Sequence, residues 1–175
     1  MVRGSPNPRH FGLPARLRKA RRQGGLARAA LGPKVGLDPA VAAYIESGQR
    51  IPTVATVSRL ASGLGVSAGW LAYGLGDQHS DGQEAAVATM GARLRRAREE
   101  KGITKAALAR LADLSPPALA NIEKGAQTGV DVLDTLAKTL GVSPAWLAYG
   151  EGPQVLPARR RVRITAATTH AAELG

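Results

Sequence analysis

An all-α protein, built as two tandem units of five short helices each, is predicted by three features of the sequence. The pentapeptide WLAYG occurs at residues 70–74 and again at 146–150. Around it a longer repeat can be traced: Arg16, Leu17, Arg18, Ala20, Arg21, Leu31, Leu37, Ile45, Glu46 and Gly48 recur 77 positions later, and LGVS at 64–67 recurs 76 positions later at 140–143, one residue having been lost after Gly125. Within each copy, apolar residues three apart lie between residues that cap or stop helices. The units run roughly over 11–77 and 90–153, with a basic arm at 1–10, a linker at 78–89 and a basic tail at 154–175.

The elements follow in order. In the second unit, residues 92–101 read as a charged amphipathic helix with Leu94 and Ala97 inward, stopped by Gly102, which can take a left-handed conformation. Thr104 caps a second helix over 105–112 with Leu108 and Leu111 inward. Ser115 caps a third that begins with Pro116 and Pro117, tolerated because the N–H groups of a first turn have no partner inside the helix. Leu119 and Ile122 form its buried face and Gly125 ends it. Residues 132–140 make a fourth helix, stopped by Gly141, and Ser143 caps a last turn carrying Trp146 and Leu147. The first unit repeats the plan with Asp38 and Pro39 opening its third helix, but Gly32-Pro33 is expected to interrupt its second. Trp70/Leu71 and Trp146/Leu147 are expected to close the base of each core, with Tyr73 and Tyr149 at the margin and the pentapeptide itself binding nothing.

Composition narrows the function classes. Apolar residues make up 44% and aromatics 3%, so the cores must be aliphatic. The chain has no cysteine, which removes disulfides and thiolate metal sites and fits a reducing compartment. No apolar run approaches the roughly 20 residues of a membrane span, and MVRGSPNPRHFGLP lacks the apolar segment of a secretory signal. A cytoplasmic, nucleoid-associated protein without membrane contact is expected. His10, His79 and His170 stand alone in arm, linker and tail and are read as solvent-exposed; no nucleophile–base pairing or phosphate loop is recognisable. The expectation is therefore a non-enzyme with no metal, cofactor or small-molecule ligand, and Glu99-Glu100 is read as an exposed helix face.

Charge points toward a polyanion. There are 24 Lys+Arg against 13 Asp+Glu, a net +11, which favours nucleic acid through long-range attraction and counterion release. By segment the net charge is +2 for 1–14, +6 for 15–77, −2 for 78–89, +2 for 90–153 and +3 for 154–175. A basic run, Arg16, Arg18, Lys19, Arg21 and Arg22, lies on the first helix and reads either as a solvated face or as a binding one. ARRRVRIT at 158–165 and MVRGSPNPRH read either as disordered arms that follow phosphates or enter the minor groove, or, for the tail, as a strand that pairs chains.

Five short helices with a tight turn between the second and third is the layout of a helix-turn-helix module. The motifs LRRAREEKGITKAALARLADLS, ALANIEKG and LAKTLGVSPAWLAYGEG resemble the lambdoid-phage repressor and Cro type, the xenobiotic-response-element family of bacterial regulators. The similarity extends over both units, about three quarters of the chain, and is more specific for the second. It implies that an arginine late in the first helix pairs with the glutamate ending the third and maintains the fold: Arg98 with Glu123, and Arg21 with Glu46. It also implies base reading from the start and middle of the third helix and phosphate anchoring from the start of the second. Those positions hold Pro116, Pro117 and Asn121 with Thr104 and Lys105 in the second unit, and Pro39, Ala40 and Tyr44 with Arg28 in the first. Here the sequence departs from its relatives, because proline and alanine bring no hydrogen-bond donor to a groove. Asn121 can make the two bonds adenine offers and is the best base-reading candidate. Lys124 and Arg50, after the third helices, join Lys105 and Arg28 as phosphate candidates.

The expected partner is thus double-stranded DNA, and the expected function is a transcriptional regulator, a repressor of the kind found on phages or plasmids, acting by operator occupancy. A tandem chain supplies two heads at high effective concentration, suited to half-sites about 34 Å apart if a pseudo-two-fold relates them. Homodimerisation stays open, as does a division of labour in which one unit binds DNA and the other a protein. Two alternatives stand beside this: an antitoxin- or antirepressor-like interaction module, favoured by the prolines and alanines of the third helices, and an architectural protein that coats DNA.

Overall fold

The computed structural model describes residues 8–79 and 88–157, and among these it forms one 3-10 turn and ten α-helices. The turn, Arg9–Gly12, leads into α1 (Leu13–Gln23), α2 (Arg28–Lys34), α3 (Pro39–Glu46), α4 (Val54–Leu64) and α5 (Ala68–Tyr73). The second unit repeats the order as α6 (Met90–Glu100), α7 (Lys105–Leu111), α8 (Pro116–Glu123), α9 (Val130–Leu140) and α10 (Pro144–Tyr149). The tail segment 158–165, His170, the first seven residues and linker residues 80–87 lie outside the described residues.

Local chemistry sets most helix ends. Side-chain oxygens of Asp38, Thr53, Ser67, Thr89, Thr104, Ser115 and Ser143 each accept a backbone N–H from the first turn of the helix that follows, which satisfies donors that have no partner within the helix. Each pentapeptide closes on a glycine in the left-handed region, Gly74 at φ 66° and Gly150 at φ 74°, which a side chain would disfavour. The α6 helix begins at Met90 behind its cap Thr89, and α9 begins at Val130, two residues before the start expected from the sequence.

Three expectations need correction. Gly32-Pro33 does not interrupt α2, which runs to Lys34 and has the same seven-residue length as α7. Pro33 sits in the last turn, so little helix is left for its ring to disrupt, and a Cβ on Gly32 would come within 2.3 Å of the Asp38 carbonyl oxygen, so the missing side chain lets α2 lie against the start of α3. Leu111 points outward at 63% exposure, while Leu108 and Ala109 carry the buried face of α7. The aromatic roles are reversed: Tyr73 and Tyr149 are buried at 3% and 8% exposure, and Trp70 and Trp146 are the half-buried pair at the margin.

That reversal has one cause, the pairing of the two units. Their buried apolar residues form one continuous core, and the contacts across the junction join equivalent positions of the repeat. Thr53 and its counterpart Gly129 form an isolated antiparallel bridge. Val54 N–H donates to Thr128 C=O at 3.0 Å, and Val130 N–H, the equivalent of Val54, donates to Pro52 C=O at 3.1 Å. Helix α5 lies against α10, with the rings of Tyr73 and Tyr149 6.3 Å apart, and a Cβ on Gly69 would stand 2.7 Å from that of its counterpart Ala145. Reciprocal contact between like residues is the mark of an isologous, two-fold interface, here realised inside one chain. The symmetry is not complete. Tyr73 Oη donates to Val130 C=O at 3.1 Å, whereas the Tyr149 hydroxyl is buried with no hydrogen-bond partner among the described residues. Glu151 accepts from Ser67 Oγ at 2.5 Å and from the N–H groups of Ala68 and Gly69 at 3.1 and 2.8 Å, an acidic clasp on the positive end of α5; Leu75 holds the matching place in the first unit.

Because no room exists for a side chain between α5 and α10, Gly69→Val is expected to lower stability by about 1–3 kcal/mol through overpacking, read as a reduced urea midpoint with the helical circular-dichroism signal of the folded state retained.

Candidate nucleic-acid interface

Each helix-turn-helix corner is made by a left-handed residue between the second and third helices, Gly36 at φ 67° in the first unit and Asp113 at φ 56° in the second. Aspartate is among the few side chains that tolerate this conformation. The cap that follows, Asp38 Oδ1 accepting from Ala40 N–H at 2.7 Å and Ser115 Oγ from Ala118 N–H at 3.3 Å, then starts the third helix. Val41, Ala42, Ile45 and Glu46 turn α3 inward, leaving Pro39 and Tyr44 on its outer side, Tyr44 at 48% exposure. Leu119, Ile122 and Glu123 do the same for α8, where Pro116, Pro117, Asn121 and Lys124 are exposed. Ala40 is half-buried, and Arg50 is exposed in the loop beyond α3.

Behind each outer face lies a buried glutamate ringed by three cations. In the first unit Arg21 grips Glu46 with two hydrogen bonds, Nε to Oε1 at 2.5 Å and Nη2 to Oε2 at 3.1 Å, and Nη1 reaches the Leu26 carbonyl at 2.6 Å. Arg28 Nε stands 3.3 Å and Arg18 Nε 3.9 Å from Glu46 Oε2, both side chains about half exposed. In the second unit Arg98 Nε meets Glu123 Oε1 at 2.7 Å, while its Nη2 turns to Glu99 at 3.2 Å. Glu123 Oε2 then faces Lys105 Nζ at 3.3 Å and Arg95 Nε at 4.0 Å without a well-aligned hydrogen bond. Hydrogen bonding to the glutamates holds the guanidinium groups of Arg21 and Arg98 above their ordinary pKa. The carboxylate thereby ties the first, second and third helices of each unit together. Arg28 and Lys105, expected as phosphate anchors, are drawn beside it with much of their surface still open, and Thr104 caps α7 through Ala107 N–H at 3.2 Å.

The basic run of α1 divides into separate roles. Arg16 turns inward, its Nε and Nη2 donating to the carbonyls of Leu71 and Ala72 at 2.9 and 2.6 Å, and Arg93 does the same to Leu147 and Ala148 at 3.0 and 2.9 Å. These pairs place positive charge on the negative ends of α5 and α10. Burial lowers both guanidinium pKa values, that of Arg16 to about 10, and leaves the groups charged at neutral pH. Lys19 Nζ lies 5.8 Å from the Trp70 ring centroid, a cation–π contact. Arg22 is exposed. The structural roles of Arg16, Arg93, Arg18 and Arg95 go beyond the sequence expectation, although their recurrence at the same spacing as Arg21 and Arg98 is a signal of the same kind.

His10 is a further correction. Its Nδ1 lies 3.0 Å from Asp134 Oδ2, with both side chains 11% exposed, so it bridges the first unit to α9 rather than standing in solvent. His79 is exposed, with Nδ1 3.2 Å from Gly65 C=O. Glu99 and Glu100 are exposed as expected, and Glu100 accepts from Arg96 and Gln154, each at 2.7 Å. Among the described residues no group of three or more potential metal ligands comes together, and no helix is long and apolar enough to cross a membrane.

Two helix-turn-helix corners with outward third helices and flanking cations define a DNA-binding regulator. The Helix-turn-helix family model, of the Cro/C1 type, matches the chain twice, over residues 17–71 and 94–147, more than half of its length, and the protein belongs to that family. No curated protein and no solved structure matches the chain.

Removing the carboxylate of Glu46 strands Arg21 in the core, so Glu46→Ala is expected to cost about 3 kcal/mol. The double change Arg21→Met/Glu46→Leu should recover most of that loss, since an apolar pair of similar size needs no charge compensation. Urea denaturation of the two variants beside the parent measures both effects.

Proposed function

We propose that the protein is a transcriptional repressor that occupies an operator with both of its heads and excludes polymerase. One observation carries this reading: the two helix-turn-helix units are joined by reciprocal contacts between equivalent residues, Thr53 with Gly129 and α5 with α10. Heads related in that way suit half-sites separated by one turn of DNA. In this reading Asn121 on α8 and Tyr44 on α3 meet base edges, and Ala40, Pro116 and Pro117 line the groove with apolar surface that can touch a thymine methyl. Arg28, Lys105, Arg50 and Lys124 neutralise phosphate, the Thr104 hydroxyl at the start of α7 donates a hydrogen bond to it, and together they set the register of each head without reading sequence. The resemblance to phage repressors supports a phage, plasmid or other mobile element as the setting, and control of its own promoter as the first place to look.

Few direct base contacts and several cations imply affinity that falls steeply with salt. Footprinting on the upstream region of the gene is expected to give a discrete protected site; uniform protection would mean a coating protein, and none would mean a protein-interaction module of the antitoxin or antirepressor kind. On that site, Lys124→Ala should weaken binding to all sequences and reduce the slope of log affinity against log salt by about 1, while Asn121→Ala should relax discrimination at one base by about 1–3 kcal/mol. Identical behaviour of the two variants in fluorescence-anisotropy titrations would remove the roles assigned to them.

A further inference from the structure

We infer that a single chain is the complete reader and that its target is a non-palindromic duplex of two unlike half-sites. The inference rests on the operator-binding reading above and adds to it the class of site and the stoichiometry.

Pairing comes first. An isologous interface consumes the same patch on both partners, and here that patch is consumed within the chain. The N-terminal end of α4 meets that of α9 through the bridge at Thr53 and Gly129, and α5 covers α10 with Tyr73, Tyr149, Gly69 and Ala145 between them. Glu151 on the N-terminal end of α5 and His10 against Asp134 close the junction from two further sides. A second copy meets a surface already occupied.

The reading faces come second. A homodimer presents one side-chain set twice, and this is what makes its site palindromic. In the present chain the outer positions of the third helices are paired by the repeat: Pro39 and Pro116 are alike, whereas half-buried Ala40 takes the place of Pro117, Tyr44 that of Asn121 and Ser47 that of Lys124, and these three pairs differ. Their chemistry differs as well. Asn121 carries an amide that can both donate and accept and so matches adenine N6 and N7, whereas Tyr44 brings an aromatic ring and a single hydroxyl, a match for a thymine methyl with at most one polar contact. Lys124 adds a charge at the end of α8 where Ser47 adds none. The skeleton behind these residues, by contrast, has the same layout in both units: Arg21 and Glu46 against Arg98 and Glu123, Arg16 against Arg93, and a cation, Arg28 or Lys105, beside each glutamate. Equal frames with unequal faces hold two different boxes in fixed relative register.

The test is selection of bound duplexes from a random library by the purified full chain, with the mass of the resulting complex measured by native mass spectrometry. One chain per duplex is expected, on two unlike boxes centred about one helical turn apart, the box under α8 containing a required adenine. The triple variant Ala40→Pro/Tyr44→Asn/Ser47→Lys gives α3 the exposed residues of α8, and its selected site should become a palindrome of the α8 box, with the parental site bound about 10- to 100-fold more weakly. Asn121→Tyr alone should change the α8 box and leave the other intact, which keeps the proposal open to refutation should the triple variant misfold. A palindromic site selected by the parent protein, or two chains on each duplex, overturns the inference while leaving operator binding in place. Failure to enrich any sequence removes operator binding itself, and the inference with it.

Discussion

What the protein can present to a ligand depends on one contact, the packing of α5 on α10. Those two helices are copies of each other, and they meet at a glycine and an alanine where no larger side chain fits. Close approach there brings Tyr73 and Tyr149 into the shared core and draws the ends of α4 and α9 into main-chain contact. Burial raises the hydroxyl pKa of both tyrosines, so each stays neutral. Without this junction the two units would be small aliphatic cores with modest burial of their own; with it they share one core, and the orientation of each third helix is set with respect to the other.

Electrostatics follow from the same economy of space. The excess of positive charge suggests a uniformly attractive surface, yet four of the arginines are spent inside: Arg16 and Arg93 finish the carbonyl ends of α5 and α10, and Arg21 and Arg98 serve buried glutamates. Among the cations with open surface, Arg18, Arg28, Arg95 and Lys105 are held beside the same two glutamates. Each glutamate therefore does two things at once: it anchors a core arginine, and it positions outward charge beside the third helix. Arg21 meets its partner through two hydrogen bonds and Arg98 through one, so the first unit has the tighter anchor.

Helices, caps and the duplication were legible in the sequence because they are local. Asp38, Thr104, Ser115 and Ser143 announce helix starts within a few residues, and the fixed spacing of Leu17, Leu31 and Ile45 with Leu94, Leu108 and Ile122 marks one core drawn twice. What escaped depended on residues far away in the chain. Leu111 has the right spacing from Leu108 to look buried, but Leu108, Ala109 and Ala112 carry the packed side at the end of α7 and Leu111 faces outward. Pro33 looked like a helix breaker because its effect depends on how many residues remain after it, which is one. The sequence puts the tyrosines at the margin because their cover is the other unit, and His10 stands alone in it because its partner, Asp134, lies 124 residues away. At the candidate interface the residue positions followed from the repeat and the resemblance, whereas the inward turn of Arg16 and Arg93 needed the carbonyl ends of α5 and α10 to be in view.

The reciprocal bonds between Val54 and Thr128 and between Val130 and Pro52 involve only main-chain atoms. The bonds themselves use no side-chain atom, so at the donors Val54 and Val130 only proline removes one outright. In an oligomer of identical subunits every mutation is made twice, and any asymmetric improvement is erased by its own copy. A duplicated gene whose halves clasp through the backbone escapes that rule: each half can drift alone while the clasp persists. The mismatch between Tyr44 and Asn121 is then a record of separate histories within one polypeptide, and this scaffold is one on which new pairings of binding preference can arise a single codon at a time.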